Sequence, residues 1–307
     1  MRVLVTGGAG FIGSHLADAY LRRGDEVTVV DSLVGGRRTF VPAGARFHHL
    51  DIRDPALREV FARERPQVVN HHAAQASVSL SVRDPLRDAE VNLLGTLRIV
   101  ALCVEFGVEH LIFASTGGAL YGDPERLPAD EATPVRPLSP YGCAKFCAEQ
   151  YIETYGRLHG LSAACLRYAN VYGPRQDPHG EAGVVAIFTR ALLDGRAPTI
   201  HGDGEQTRDF IYVDDVVRAN LLATDRRARG AFNVGTAVPT SVNQLYRALA
   251  RYVQPAPAPV YGPPRPGDVR HVVLAAEAAR ARLGWTPEVS LEDGLAATVA
   301  WFRTHAA

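Results

Sequence analysis

Short apolar runs alternate with amphipathic segments through the first half of the chain. Residues 2–6 (Arg-Val-Leu-Val-Thr) are apolar enough for a buried strand, and residues 14–23 carry the period of a helix. A second strand is expected over 26–30, ending at Asp31, a third over 46–50 and a fourth over 67–70. Residues 84–106 predict one long helix, and 110–114 a fifth strand with Thr116 just past its end. An amphipathic helix follows over 139–159, then a strand over 163–167. Alternation of this kind predicts an α/β fold. It implies a doubly wound parallel sheet of Rossmann type, with ligands at the carboxyl ends of the strands. Beyond residue 168 loops lengthen and polar groups cluster. Asp214 or Asp215 stands where a side chain caps a following helix. Residues 255–268 hold six prolines and end on Arg265, Gly267 and Asp268, which predicts a rigid binding loop.

The first strand runs into Gly7-Gly8-Ala9-Gly10-Phe11-Ile12-Gly13. Glycines there permit a tight turn and close backbone approach to a pyrophosphate, and the helix that follows offers N–H donors and the positive end of its dipole. Asp31 stands at the distance expected of a carboxylate that accepts from a ribose and repels a 2′-phosphate, so the motif predicts NAD rather than NADP. Arg37 and Arg38 argue the other way, and Asp31 is given the greater weight.

Tyr141 and Lys145 are one turn apart on one helical face. The chain has 33 lysines and arginines, and Lys145 is the only lysine. A bias that turned every other basic position into arginine stopped where a compact ammonium is needed. Thr116 brings a hydroxyl to a strand end on the same side of the predicted sheet. The formal net charge is zero, which offers nothing to nucleic acid. No apolar run reaches membrane-spanning length. A chain opening directly on a strand is expected to lack a signal peptide and to stay in the cytoplasm, with Cys103, Cys143, Cys147 and Cys165 reduced. The adjacent His71 and His72 point to opposite faces of a strand, so no metal site is expected.

Together these residues resemble the extended short-chain dehydrogenase/reductase family, and within it nucleotide-sugar 4-epimerases of the UDP-glucose 4-epimerase type. The likeness runs nearly end to end. It is carried by Thr6 to Gly13, Asp31, Asp51-Ile52, His72-Ala73-Ala74-Gln75, Asn92, Ser115-Thr116, Tyr141 with Lys145, Asn170, Arg208-Asp209-Phe210, and Arg265-Pro266-Gly267-Asp268. The resemblance implies NAD held by Gly7, Gly10, Phe11, Ile12, Gly13, Asp31, Asp51, Ile52, Ala73, Ala74, Asn92, Tyr141 and Lys145, and retained between turnovers. It implies catalysis by Thr116, Tyr141 and Lys145, and a nucleotide sugar bound by Thr116, Tyr141, Asn170, Arg208, Arg265 and Asp268. It also implies an NAD-binding domain over 1–168 and a smaller C-terminal substrate-binding domain over 169–307, with residues 209–234 returning to the first. A homodimer through the helices near 84–106 and 139–159 is expected.

In this chemistry Tyr141 takes a proton from the sugar 4′-hydroxyl. A free tyrosine titrates near 10, so work at neutral pH asks for a pKa lower by roughly 3. Lys145 and the positive nicotinamide ring are expected to supply the shift. Gly117-Gly118-Ala119 follows Thr116. No acid stands where related dehydratases and decarboxylases carry one, which favours plain epimerisation. A uronate or N-acetylated sugar, and a non-catalytic NAD-sensing regulator, stay open as alternatives. Counted from Asp268, Val272 falls where a small residue leaves room for an N-acetyl group.

Overall fold

The structure is a computed structural model that describes residues 1–179, 183–264 and 269–305. The first half runs β1 (Arg2–Thr6), α1 (Phe11–Arg22), β2 (Glu26–Asp31), β3 (Arg46–His49), α2 (Leu57–Glu64), β4 (Val68–His71), α3 (Val78–Arg83), α4 (Pro85–Ala89), α5 (Thr96–Glu105), β5 (His110–Thr116), α6 (Pro140–His159) and β6 (Ala163–Tyr168). The second half runs β7 (Asn170–Tyr172), α7 (Val184–Leu193), β8 (Thr199–His201), β9 (Thr207–Tyr212), α8 (Val213–Asp225), β10 (Gly230–Val234), β11 (Pro239–Ser241), α9 (Val242–Ala250), β12 (Val260–Gly262), α10 (Glu277–Leu283) and α11 (Leu291–Thr304).

Seven strands form one parallel sheet in the order β10-β6-β5-β4-β1-β2-β3. β1 pairs with β2 on one side (Val5↔Val29) and with β4 on the other (Val5↔Asn70). The strand order reverses there, and a crevice opens at the carboxyl ends. Strands β1, β2, β4, β5 and β6 are buried on both faces, which is why they read as largely apolar runs, while the edge strand β3 is partly exposed. On one face Leu57, Phe61, Ile99, Cys103 and Ile152 from α2, α5 and α6 close the core. On the other, Leu16, Ala17 and Tyr20 of α1 and the apolar side of α8, α10 and Trp285 do so. The remaining strands make a three-stranded sheet, β11-β9-β7, and the pair β12-β8.

Several boundaries differ from the pattern-based reading. β5 runs to Thr116, so Thr116 is its last residue rather than the one beyond it, and α1 begins at Phe11. The single helix expected over 84–106 is three pieces. Asp84 ends α3 and caps α4 with its side chain, with Pro85 at the first helical position. A π-helical turn, Glu90–Gly95, then separates α4 from α5. Such turns are frequent at functional sites, and this one carries the buried Asn92. Asp214 and Asp215 do not cap α8; Tyr212 is its N-cap. Asp215 instead accepts from the backbone N–H groups of Glu288 (2.9 Å) and Val289 (3.0 Å) and pairs with Arg218 (2.7 Å), tying the C-terminal segment to α8.

Helix α6 is defined at both ends. The Ser139 hydroxyl accepts from Gly142 N–H at 3.2 Å, Pro140 follows, and Gly160 closes the helix at φ +74°. Gly142 has a steric reason too: a Cβ there would lie 2.3 Å from the Ala119 carbonyl oxygen. The start of α6 is thereby pressed against the segment leaving β5.

Candidate active site

The turn after β1 is built from its own backbone. Gly7 N–H donates to Val30 O (2.8 Å) and Gly10 N–H to Gly7 O (3.0 Å). Gly7 takes φ +69°, and a Cβ on it would sit 2.6 Å from Ala73 N. One on Gly13 would sit 2.1 Å from Gly7 O. Only glycines let the loops after β1 and β4 approach this closely and let Phe11 and Ile12 open α1 against the turn. The result is a bare backbone cradle at a helix N-terminus, which fits a dinucleotide pyrophosphate.

Asp31 does more than wait for a ribose. One of its oxygens accepts from Ala9 N–H (2.9 Å) and the other from Leu33 N–H (2.8 Å), so the buried carboxylate also shapes the glycine turn. Lone pairs remain for a hydroxyl donor. Arg37 and Arg38 lie over the rings of Phe40 and Phe47. Asp51 is in a two-pronged pair with Arg53 (2.9 and 2.8 Å), which holds its carboxyl below the usual carboxylate range. Ile52 is buried and packs closely on Gly95, where a Cβ would lie 2.6 Å from the end of the Ile52 side chain. Ala73 N–H donates to the Thr6 hydroxyl at 3.2 Å, and Ala74 continues the same segment.

Asn92 was expected at the cofactor. Its buried amide is committed within the protein: the oxygen accepts from Gln75 N–H (3.0 Å), and the nitrogen donates to Gln75 O (2.9 Å) and Asp88 (2.8 Å). It holds the segment that carries Ala73 and Ala74. Both histidine rings are engaged by neighbouring side chains. His71 bridges the hydroxyls of Thr6 (2.6 Å) and Thr96 (3.0 Å), and His72 stacks on Tyr168. No metal-holding cluster occurs among the described residues.

Thr116, Tyr141 and Lys145 converge at the end of β5. Lys145 is buried, and its ammonium donates to Ala114 O at 2.9 Å. It lies 4.7 Å above the Phe113 ring and 6.0 Å from the Tyr141 ring. Burial lowers its pKa to about 8, against the opposing pull of Asp88, Glu149 and Cys165. The Tyr141 phenol departs from expectation. Burial first, and then the Asp88 carboxylate, push it above its ordinary value, while a hydrogen bond with Thr116 works the other way. The ammonium sits on a backbone carbonyl, not on the phenol, so desolvation wins and Tyr141 holds its proton in the protein alone.

Across the cleft Asn170 opens β7 and Arg208 lies on the adjacent β9. The Asn170 side-chain oxygen is buried without a partner. A Cβ on Gly118 would lie 3.7 Å from that oxygen and 3.8 Å from the Thr116 hydroxyl, so this glycine leaves space between them. Arg208 donates to Thr207 O at 2.9 Å. Val272 is buried, its N–H on Thr207 O. Arg265 and Asp268 lie outside the described residues, as does the end of the proline-rich loop. Two buried acids carry roles that the pattern reading did not assign. Asp209 accepts from Thr236, Ala237 and Leu274 and fastens β9 to its neighbours. Asp88 stands one turn before Asn92, a spacing that could have drawn notice.

The chain matches the NAD dependent epimerase/dehydratase family over residues 3–235. It is 46% identical over 309 residues to the UDP-glucose 4-epimerase of Mycolicibacterium smegmatis, covering 99% of each chain. It is 43% identical over 303 residues to a putative UDP-glucose 4-epimerase of Methanocaldococcus jannaschii, again over 99% of each. Among solved structures, the UDP-glucose 4-epimerase of Thermotoga maritima with UDP-glucose superposes with a TM-score of 0.97 at 49% identity over 100% of both chains. The Thermus thermophilus UDP-glucose 4-epimerase in complex with NAD gives 0.95 at 47% identity, over 99% of this chain and 100% of that one. With the glycine cradle and the Thr116–Tyr141–Lys145 cluster at the strand ends, these full-length likenesses place the chain in the NAD dependent epimerase/dehydratase family.

Proposed function

We propose that this protein is an NAD-dependent nucleotide-sugar 4-epimerase that interconverts UDP-glucose and UDP-galactose through a 4-keto sugar. The observation that carries the reading is the convergence of Thr116, Tyr141 and Lys145 at the end of β5, beside the glycine cradle. When bound, NAD supplies a hydride acceptor and a positive ring. Tyr141 is the group that exchanges a proton with the sugar 4′-oxygen. A phenol held protonated by burial is ready to give that proton back, and the positive ring favours its ionisation when a proton must be taken. Thr116 orients the phenol. Lys145 holds a positive charge beside it and offers donors to the nicotinamide ribose. Asp31, with Gly7, Gly10, Phe11, Ile12 and Gly13, holds the dinucleotide. Asn170 and Arg208, with Arg265 and Asp268, hold the nucleotide diphosphate, for which paired guanidinium donors are suited. The absence of an acid in Gly117-Gly118-Ala119 removes the group that an elimination needs.

A homodimer suits the same reading. Val78, Val82, Leu86 and Leu94, together with Tyr151 and Leu158 of α6, are large apolar side chains left exposed along these helices. Four unpaired cysteines and a nucleotide-sugar substrate suit galactose metabolism in the cytoplasm.

The test is to incubate purified, NAD-loaded protein with UDP-galactose and measure UDP-glucose. Tyr141→Phe is expected to keep the fold and the NAD and to lose about 10²–10⁴-fold in turnover. Failure of the folded, loaded protein on every nucleotide sugar would favour an NAD-binding regulator; near-native turnover by the Phe variant would reduce Tyr141 to packing.

A further inference from the structure

Asp88 lies on α4, which packs against α6, and it is 1% exposed. One of its oxygens accepts from Gln75 Nε2 and Asn92 Nδ2, both at 2.8 Å. The other is buried without a partner. A carboxylate so placed is costly unless an opposite charge stands near. Lys145 stands on α6, the helix that α4 packs against, and its positive charge eases the upward shift that burial gives the Asp88 carboxyl; five titratable groups face Lys145 besides Asp88. Tyr141 and Glu149 come from α6 itself, His71 from β4 and His72 from its end, and Cys165 from β6. Burial keeps both imidazoles neutral, His72 down to about 3, and it keeps the Cys165 thiol and the Tyr141 phenol protonated. That leaves two anions. Glu149 is spent on Arg167, which binds it through Nε (3.1 Å) and Nη2 (2.7 Å), while Ser115 donates to it at 2.5 Å. Asp88 is held by two amide donors and by no guanidinium among the described residues.

We propose that Asp88, tethered by Gln75 and Asn92, is the fixed counter-charge of Lys145 and a positioning residue for the Tyr141–Lys145 pair. The same carboxylate disfavours ionisation of Tyr141, so it sets the pH range in which the pair works. Its catalytic consequence rests on the proposed epimerase function; its electrostatic content does not.

The single lysine makes a direct test possible. Protein labelled with carbon-13 at lysine Cε gives one lysine resonance, whose shift follows the ionisation of Lys145. Asp88→Asn keeps an acceptor for both amide donors and removes the charge. Lys145 should then titrate about one pH unit lower than in the native protein, the scale of a neighbouring charge. Asp88→Glu should restore most of the shift. Asp88→Ser is a second neutral variant should the Asn variant fail to fold. In the epimerase assay both limbs of the pH–rate profile should move to lower pH together, which a merely loosened site would not produce. Neutral folded variants that titrate at the native pH overturn the proposal. A native protein without epimerase activity overturns the proposed function only, since the resonance still reports on Asp88 and Lys145.

Discussion

Lys145 is enclosed on every side the structure describes. Its ammonium reaches Ala114 O and lies over the Phe113 ring, at 3% exposure. Lysine and arginine have nearly equal helix propensity, so Lys145→Arg would be silent on a solvated face. Here the wider, planar guanidinium must displace Phe113 or the space kept for the cofactor ribose. Overpacking of this kind costs about 1–3 kcal/mol. The expected outcome is a lower melting temperature, weaker NAD retention and at least a tenfold loss of rate, about 1.4 kcal/mol in the barrier. A variant with native rate and full NAD content would mean that the one lysine of this chain is an accident of composition.

At the scale of elements, the site is held by a pair that no local pattern announces. Glu149 on α6 and Arg167 on β6 have side chains 4% and 7% exposed, and Arg167 also donates to the Tyr121 hydroxyl at 2.9 Å. Removing one member strands the other in the core, at a cost of roughly 3–5 kcal/mol. Glu149→Gln should therefore lower the urea midpoint markedly while Tyr141 and Lys145 keep their places, so that activity at low temperature follows the folded fraction. A loss below about 1 kcal/mol, the range of exposed pairs, would show the pair to be screened. The break in the expected 84–106 helix belongs to the same scale. Its apolar residues keep a helical period across Pro85 and the π turn, so periodicity alone could not see that Asn92 is turned to grip Gln75.

For the whole molecule two outcomes follow from what is buried and what is not. His15, His71, His72 and His110 are all pushed below 6.5, chiefly by burial, with His72 near 3 and His110 near 4. An imidazole with a lowered folded pKa takes up a proton more readily in the unfolded chain. Its stabilising contribution is complete above 6.5 and is lost as pH falls toward the folded value. The melting temperature should thus decline from pH 6.5 to about 4, before the lowered carboxylates of Asp51 and Glu64 are protonated. His110→Asn should flatten that slope; an unchanged slope would assign the acid sensitivity elsewhere. The exposed side chains make the second case. Light scattering should give twice the chain mass, and Leu86→Asp with Leu158→Asp should give the monomer. A native monomer at micromolar concentration would reject the dimer.

Much of the fold was legible because it is set locally. The glycine turn needs φ > 0 at Gly7 and no Cβ at Gly13. The acid at the end of β2 follows from strand length, and Tyr141 and Lys145 share a face because a helix repeats every 3.6 residues. Those features survive any detail of packing, so the sequence by itself determined the α/β class, the glycine turn and the shared helical face of Tyr141 and Lys145. The tertiary structure decided the rest. Gln75 meets Asn92 across 17 positions and Glu149 meets Arg167 across 18. The Lys145 ammonium lies on Ala114, 31 positions away. The direction in which Tyr141 is shifted depends on how completely water is excluded from it. Burial and long-range pairing are properties of the folded surface, and no window of neighbouring residues contains them.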